Sequence, residues 1–75
     1  MQIKFSRHAQ RRAKLYKIPQ KIISDILTET NTPNGKYEIL KTIKAFNYPI
    51  KIVFVKEDNI ITIITVYPLK NRKSI

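Results

Sequence analysis

The feature that most constrains the fold is a change of hydrophobic period at Gly35, the only glycine in the chain. Before Gly35 the apolar residues recur with the spacing of amphipathic helices, and after it they alternate as they do in strands. The dipeptide Asn34-Gly35 supplies the backbone freedom that a tight turn needs. The sequence therefore predicts helices in the first half of the chain and a sheet built mainly from the second half.

The first half predicts one short strand and two helices. Residues 2–5 alternate polar and apolar side chains, and Ser6 is a suitable N-cap for a basic helix over residues 7–17. That helix carries one apolar stripe, formed by Ala9, Ala13 and Tyr16. Pro19 fits the first turn of a second amphipathic helix, which we expect to end near residues 29–31.

The second half predicts three strands, over residues 36–45, 50–56 and 60–67, with a hairpin turn at Asp58-Asn59. The element order is then β-α-α-β-β-β. This order predicts a single α+β domain over residues 1–75, with two helices packed on one face of an antiparallel meander sheet. The other face of the sheet is left for solvent or a ligand.

The net charge of +10, from 15 Lys and Arg against 5 Asp and Glu, indicates an anionic partner. Nucleic acid, an anionic membrane and an acidic protein are all candidates, and a plain solubility charge is the alternative. The absence of cysteine and the single histidine exclude disulfides and multi-histidine metal sites, and we predict no cofactor. Because no apolar segment is long enough for a signal peptide or a membrane span, we expect a cytoplasmic protein.

His8 and Arg12 are the strongest candidates for chemistry. They lie four residues apart, so a helix places them on one face, at the edge between the apolar stripe and water. The positive end of the helix dipole and the neighbouring arginines disfavour the imidazolium, so we expect a histidine that can accept a proton near neutral pH. The free N–H groups of that first turn also suit a phosphate. An exposed histidine without a role is the alternative.

A second candidate pair lies on the last strand. Thr65 and Tyr67 are predicted to share a face with Ile61 and Ile63, and Tyr67 can donate a hydrogen bond to a phosphate or stack on a base. A third pattern is a basic surface interleaved with aromatic residues, for which a solvated face of lysines is the alternative. Its aromatic members include Tyr37, Phe46 and Tyr48, and its predicted nucleic-acid contacts are Arg7, Arg11, Lys44, Lys70, Arg72 and Lys73.

These residues resemble a small domain family of unknown function, whose members open with a His-Ala-x-x-Arg helix and close on a Thr-Val-Tyr strand. The likeness covers nearly the whole chain, through residues 5–12, Ile18, the glycine turn, residues 52–54 and residues 65–67. That family is similar to RelE-like and BrnT-like toxins of toxin–antitoxin systems, within a group of metal-independent ribonucleases that includes barnase and colicin nuclease domains. The resemblance implies a fold of two helices on a meander sheet. It also implies RNA cleavage and neutralisation by an acidic antitoxin protein.

Carried over by position, the resemblance implies a catalytic set of His8, Arg12, Lys51, Thr65 and Tyr67. Tyr16 stands where many members have a second basic residue. The leading hypothesis is therefore a metal-independent endoribonuclease, the toxin of a toxin–antitoxin system, acting on mRNA, tRNA or ribosome-bound RNA. It would cleave by attack of a ribose 2′-OH on the adjacent phosphate. The alternatives are a non-catalytic RNA- or DNA-binding module of the same fold and a structural partner of an acidic protein.

Overall fold

The computed structural model describes residues 2–29, 32–43 and 46–69, which contain two helices and four strands. In chain order these are β1 (Gln2–Phe5), α1 (Arg7–Leu15), α2 (Gln20–Thr28), β2 (Gly35–Lys41), β3 (Ile50–Glu57) and β4 (Ile60–Pro68). The predicted α+β class and element order are confirmed. Within the described ranges, neither helix has the length and apolar character needed to cross a membrane.

The four strands form one mixed sheet in the order β1-β4-β3-β2. The strands β2, β3 and β4 are an antiparallel meander, but β1 runs parallel to β4, with Gln2 opposite Ile60 and Phe5 opposite Ile63. The prediction of a wholly antiparallel sheet is therefore wrong. The reason is that α1 and α2 carry the chain from one edge of the sheet to the other, and such a helical crossover joins strands of the same direction.

The first helix begins at the predicted cap. The backbone of Ser6 is extended, and its Oγ accepts a hydrogen bond from the backbone N–H of Ala9 at 3.0 Å. The small side chains of Ala9 and Ala13 are buried, which lets α1 pack closely against the sheet. The helix ends at Leu15, two residues before the predicted end, because Lys17 has a positive φ of 57° that a helix cannot include.

The second helix begins one residue later than predicted. Pro19 is its cap residue, with an extended ψ of 133°, and α2 starts at Gln20. The buried α2 side chains, Ile23 and Leu27, belong to the same core as the buried residues of α1 and of one sheet face. The sheet contributes Ile50, Ile52, Phe54, Ile61, Ile63 and Val66 to this core. Both helices therefore pack on the same face of the sheet.

A β-bulge in β4 decides which of its side chains face the core. Phe54 pairs with Ile63 and Val53 pairs with Thr65, so Ile64 is an extra residue in β4. Ile63 and Val66 consequently both face the core, whereas Thr65 and Tyr67 face away from it. The prediction that Thr65 and Tyr67 share a face with Ile61 and Ile63 is wrong, because strict alternation makes no allowance for an extra residue.

The predicted hairpin turn is confirmed, and the predicted turn at Asn34-Gly35 is a bend at Asn34 that leads directly into β2. Gly35 has a φ of 150° where β2 begins, and Asp58 has a φ of 56° in the hairpin turn between β3 and β4. The bend and the hairpin turn contact each other, since Asn34 Oδ1 accepts a hydrogen bond from the backbone N–H of Asp58 at 3.0 Å. This contact links one end of the meander to the segment that follows α2.

Candidate functional site

One cleft, of about 390 Å³, lies between α1 and the second half of β4. His8 and Arg12 line it from α1, Tyr16 from the end of that helix, and Thr65 and Tyr67 from β4. His8 is exposed, and the other four side chains are half-buried. Four of the five residues in the predicted catalytic set are thus brought together, although 53 to 59 positions separate the two pairs in the sequence.

The cleft exists because α1 takes the place of β1 alongside β4. The pairing of β1 with β4 ends at Phe5 and Ile63, and the chain then turns into the helix. Ser6 fixes this junction: its backbone N–H donates to the Ile63 carbonyl at 3.0 Å, and its Oγ donates to the Ile64 carbonyl at 2.9 Å. The first turn of α1, which contains His8, is therefore attached directly to the bulge that precedes Thr65.

Arg12 is held within the cleft by a neighbour on its own helix. Its Nη1 donates a hydrogen bond to Tyr16 Oη at 3.3 Å. Helical spacing predicts Tyr16 as a member of the apolar stripe, yet its hydroxyl makes a polar contact in the cleft. The four-residue spacing between Arg12 and Tyr16 is the signal that predicts such a contact on a helix.

Lys51, the fifth residue of the predicted catalytic set, lies beside the cleft and is not part of its lining. It is directly opposite Tyr67 in the β3–β4 register, on the open face of the sheet. Its Nζ lies 2.8 Å from Oε1 of Glu38 on β2. The hydrogen bond and charge of Glu38 raise the pKa of Lys51, with smaller contributions from Tyr67, and the same pair lowers the pKa of Glu38.

Glu38 is the residue that sequence reasoning missed at this site. Alternation places Glu38 on the open face of β2, but its contact with Lys51 depends on the register between β2 and β3. Glu38 pairs with Val53 in that register, which puts it diagonally next to Lys51. The Glu38 side chain therefore partly offsets the positive charge of Lys51, which also interacts with Tyr67.

The structure shows some residues of the predicted nucleic-acid surface as exposed, shows others packed against the core, and does not describe the rest. Arg7 and Arg11 are exposed on α1, whereas Lys44, Lys70, Arg72 and Lys73 lie outside the described residues. The ring of Tyr37 packs against Phe54 with 5.5 Å between the ring centroids, so that face of the ring is not open to a base. The ring of Phe46 also packs against the core, whereas Tyr48 is exposed.

The cleft combines one imidazole, one guanidinium and three hydroxyl groups, and none of the described residues that line it is acidic. This set can bind an anion and can move a proton, which are the two requirements of phosphate chemistry. In the part of the chain that the structure describes, no three side chains among His, Cys, Asp and Glu are grouped to hold a metal ion.

Comparisons with protein-family models, with curated proteins and with solved structures each gave no significant match. The fold and the cleft therefore define the class of protein by themselves. It is a small, strongly basic α+β domain whose cationic cleft lies between its first helix and its last strand.

Proposed function

We propose that this protein is a metal-independent endoribonuclease of the toxin type. The observation that carries the proposal is that His8, Arg12, Thr65 and Tyr67 line one cleft, and that no acidic residue among the described ones lines it with them. An anionic substrate is favoured there by the charge of Arg12 and by the net charge of +10 on the whole chain. The resemblance to RelE-like and BrnT-like toxins names the same residues.

The reaction we propose is attack of a ribose 2′-oxygen on the adjacent phosphorus. The 2′-oxygen–phosphorus bond forms, the bond from phosphorus to the 5′-oxygen breaks, and the products carry a 2′,3′-cyclic phosphate and a 5′-hydroxyl. His8 takes the proton from the 2′-hydroxyl while water supplies one to the departing 5′-oxygen, or His8 delivers that second proton while water accepts the first. Such proton transfer contributes a rate factor of about 10² to 10⁴.

Arg12 stabilises the charge that develops on the phosphate oxygens, and the hydrogen bond to Tyr16 keeps its guanidinium in the cleft. The hydroxyl groups of Thr65 and Tyr67 donate hydrogen bonds that position the phosphate. Lys51 assists from the open face of the sheet, where Glu38 limits its contribution. Thr65 and Tyr67 depend on the bulge at Ile64 for their direction.

The partners follow from the same charge. The substrate is RNA, whether mRNA, tRNA or ribosome-bound RNA. An acidic antitoxin protein binds the basic surface and inhibits the activity. Both partners belong to the cytoplasm, which is where we propose that the protein acts.

The test is incubation of purified protein with total RNA and with ribosomes in excess EDTA. We expect cleavage to 2′,3′-cyclic phosphate ends, and a loss of about 10² to 10⁴ in rate for His8→Ala. Lys14→Ala is the matched control, because Lys14 is exposed on α1 and does not line the cleft. The enzyme proposal is wrong if the wild-type protein cuts no RNA, or if His8→Ala cuts as fast as Lys14→Ala.

The wild-type protein and these two variants also distinguish an enzyme from a non-catalytic module that only binds RNA. Both are expected to lose RNA affinity steeply as salt rises, because both bind the phosphate backbone. RNA that is bound with this salt dependence but stays intact in the presence and absence of ribosomes would assign the cleft to binding alone.

A further inference from the structure

A second cavity, of about 280 Å³, lies next to the cleft and has a different chemical character. The residues that line it include three aromatic ones, Tyr16, Phe46 and Tyr48, together with Asn47 and the apolar residues Ile18, Ile50 and Pro68. None of the described residues that line it is charged. The cavity is therefore aromatic and neutral, although the chain around it is strongly basic.

The two cavities are adjacent in the structure. Tyr16 lines both of them, and on β4 Tyr67 lines the cleft while the next residue, Pro68, lines the second cavity. The hydroxyl of Tyr16 accepts the hydrogen bond from Arg12, so the group that would bind phosphate lies at the boundary between the two. A ligand bound in the cleft can therefore extend past Tyr16 into the second cavity.

The segment that forms the outer wall of the second cavity is held at both ends. The backbone N–H of Phe46 donates to the Ile43 carbonyl at 2.9 Å, and the backbone N–H of Leu69 donates to the Pro49 carbonyl at 2.9 Å. Asn47 and Tyr48, which lie between these anchors, are exposed. Their side chains are thus presented to a ligand from a fixed backbone.

We propose that the second cavity is a nucleobase subsite, which binds the base of the nucleotide next to the phosphate held in the cleft. Aromatic side chains bind bases by stacking, and an amide can hydrogen-bond to a base edge, which is how proteins recognise unpaired RNA. The substrate class is therefore single-stranded RNA, since a paired base is not free to enter. The inference deepens the proposed function and depends on it for the identity of the anion in the cleft.

The experiment uses fluorescence anisotropy with two 2′-O-methyl RNA tetranucleotides, one with bases and one with abasic residues. Methylation blocks the 2′-hydroxyl, so binding is measured without cleavage. We expect Tyr48→Ala to weaken binding of the base-containing oligonucleotide about five- to tenfold and to leave the abasic one unchanged. Arg12→Ala should weaken both, and Leu40→Ala, which removes another exposed apolar side chain, should weaken neither.

The subsite is overturned if Tyr48→Ala weakens both oligonucleotides equally or weakens neither. It is also overturned if the wild-type protein binds both equally, in which case an apolar side chain of a protein partner becomes the alternative occupant. Neither result depends on cleavage. Base-selective binding without nuclease activity would leave the subsite standing and remove the proposed enzyme, whereas His8-dependent cleavage without base selectivity would do the reverse.

Discussion

Replacing Ser6 by alanine tests the junction that creates the cleft. The hydroxyl of Ser6 caps α1 by accepting from Ala9 N–H and ties the helix to β4 by donating to the Ile64 carbonyl. Loss of an N-cap costs about 1 kcal/mol. Loss of a partly buried hydrogen bond costs about 1 kcal/mol more. We therefore expect the free energy of unfolding to fall by about 2 kcal/mol in Ser6→Ala.

Urea denaturation followed by circular dichroism measures this loss, and the denaturant slope should not change. In a domain of 75 residues the melting temperature should fall by roughly 8–16 °C. Ser6→Asp separates the two hydrogen bonds, because a carboxylate can accept from Ala9 N–H but cannot donate to Ile64. We expect it to lose only about 1 kcal/mol.

Ser24→Ala is the matched control, since Ser24 lies within α2 and alanine is the better helix former by a few tenths of a kcal/mol. If Ser6→Ala is as stable as Ser24→Ala, the Ser6 hydroxyl does not stabilise the junction, and this prediction is refuted. It is also refuted if Ser6→Asp loses as much stability as Ser6→Ala, because the cap would then contribute nothing.

Three further predictions concern the site and the bend that leads into β2. Glu38→Gln should raise RNA affinity and steepen its salt dependence by about one unit of slope, because it releases Lys51 from its partner. Since Lys51 lowers the pKa of Glu38, wild type should be more stable than Glu38→Gln near neutral pH. This difference should disappear as the pH falls through the lowered pKa of Glu38, in a pH series of urea melts. Gly35→Ala should cost about 1–3 kcal/mol by thermal denaturation, because a φ of 150° strains any residue with a Cβ. Tyr16→Phe should lower kcat severalfold with little change in melting temperature, because it removes the acceptor that holds Arg12; an unchanged kcat would show that the hydroxyl does not position the guanidinium.

The elements could be predicted from the sequence because their signals are local. The cap at Ser6, the bend at Asn34-Gly35 and the hairpin at Asp58 each depend on a few neighbouring residues, and the structure has all three. The direction of β1 could not be predicted in this way. It depends on which edge of the sheet the chain reaches after two helices, and no local pattern records that choice.

Only part of the site could be predicted, because only part of it depends on local spacing. Helical spacing alone brings His8 and Arg12 to one face, but the position of Thr65 and Tyr67 depends on the bulge at Ile64, which alternation cannot reveal. The bulge is a property of the pairing between β3 and β4. The contact between Glu38 and Lys51 likewise requires the register of two strands.

The most direct test of the proposed function compares two arginines that are adjacent in the sequence but differ in whether they line the cleft. Arg12 lines the cleft, whereas Arg11 is exposed on α1 outside it, so Arg12→Ala and Arg11→Ala remove the same charge from the same helix. At saturating RNA in EDTA, we predict that Arg12→Ala lowers the cleavage rate by about 10² to 10³ and that Arg11→Ala leaves it within a few-fold of wild type. Equal rates for the two variants would contradict the assignment of RNA cleavage to this cleft.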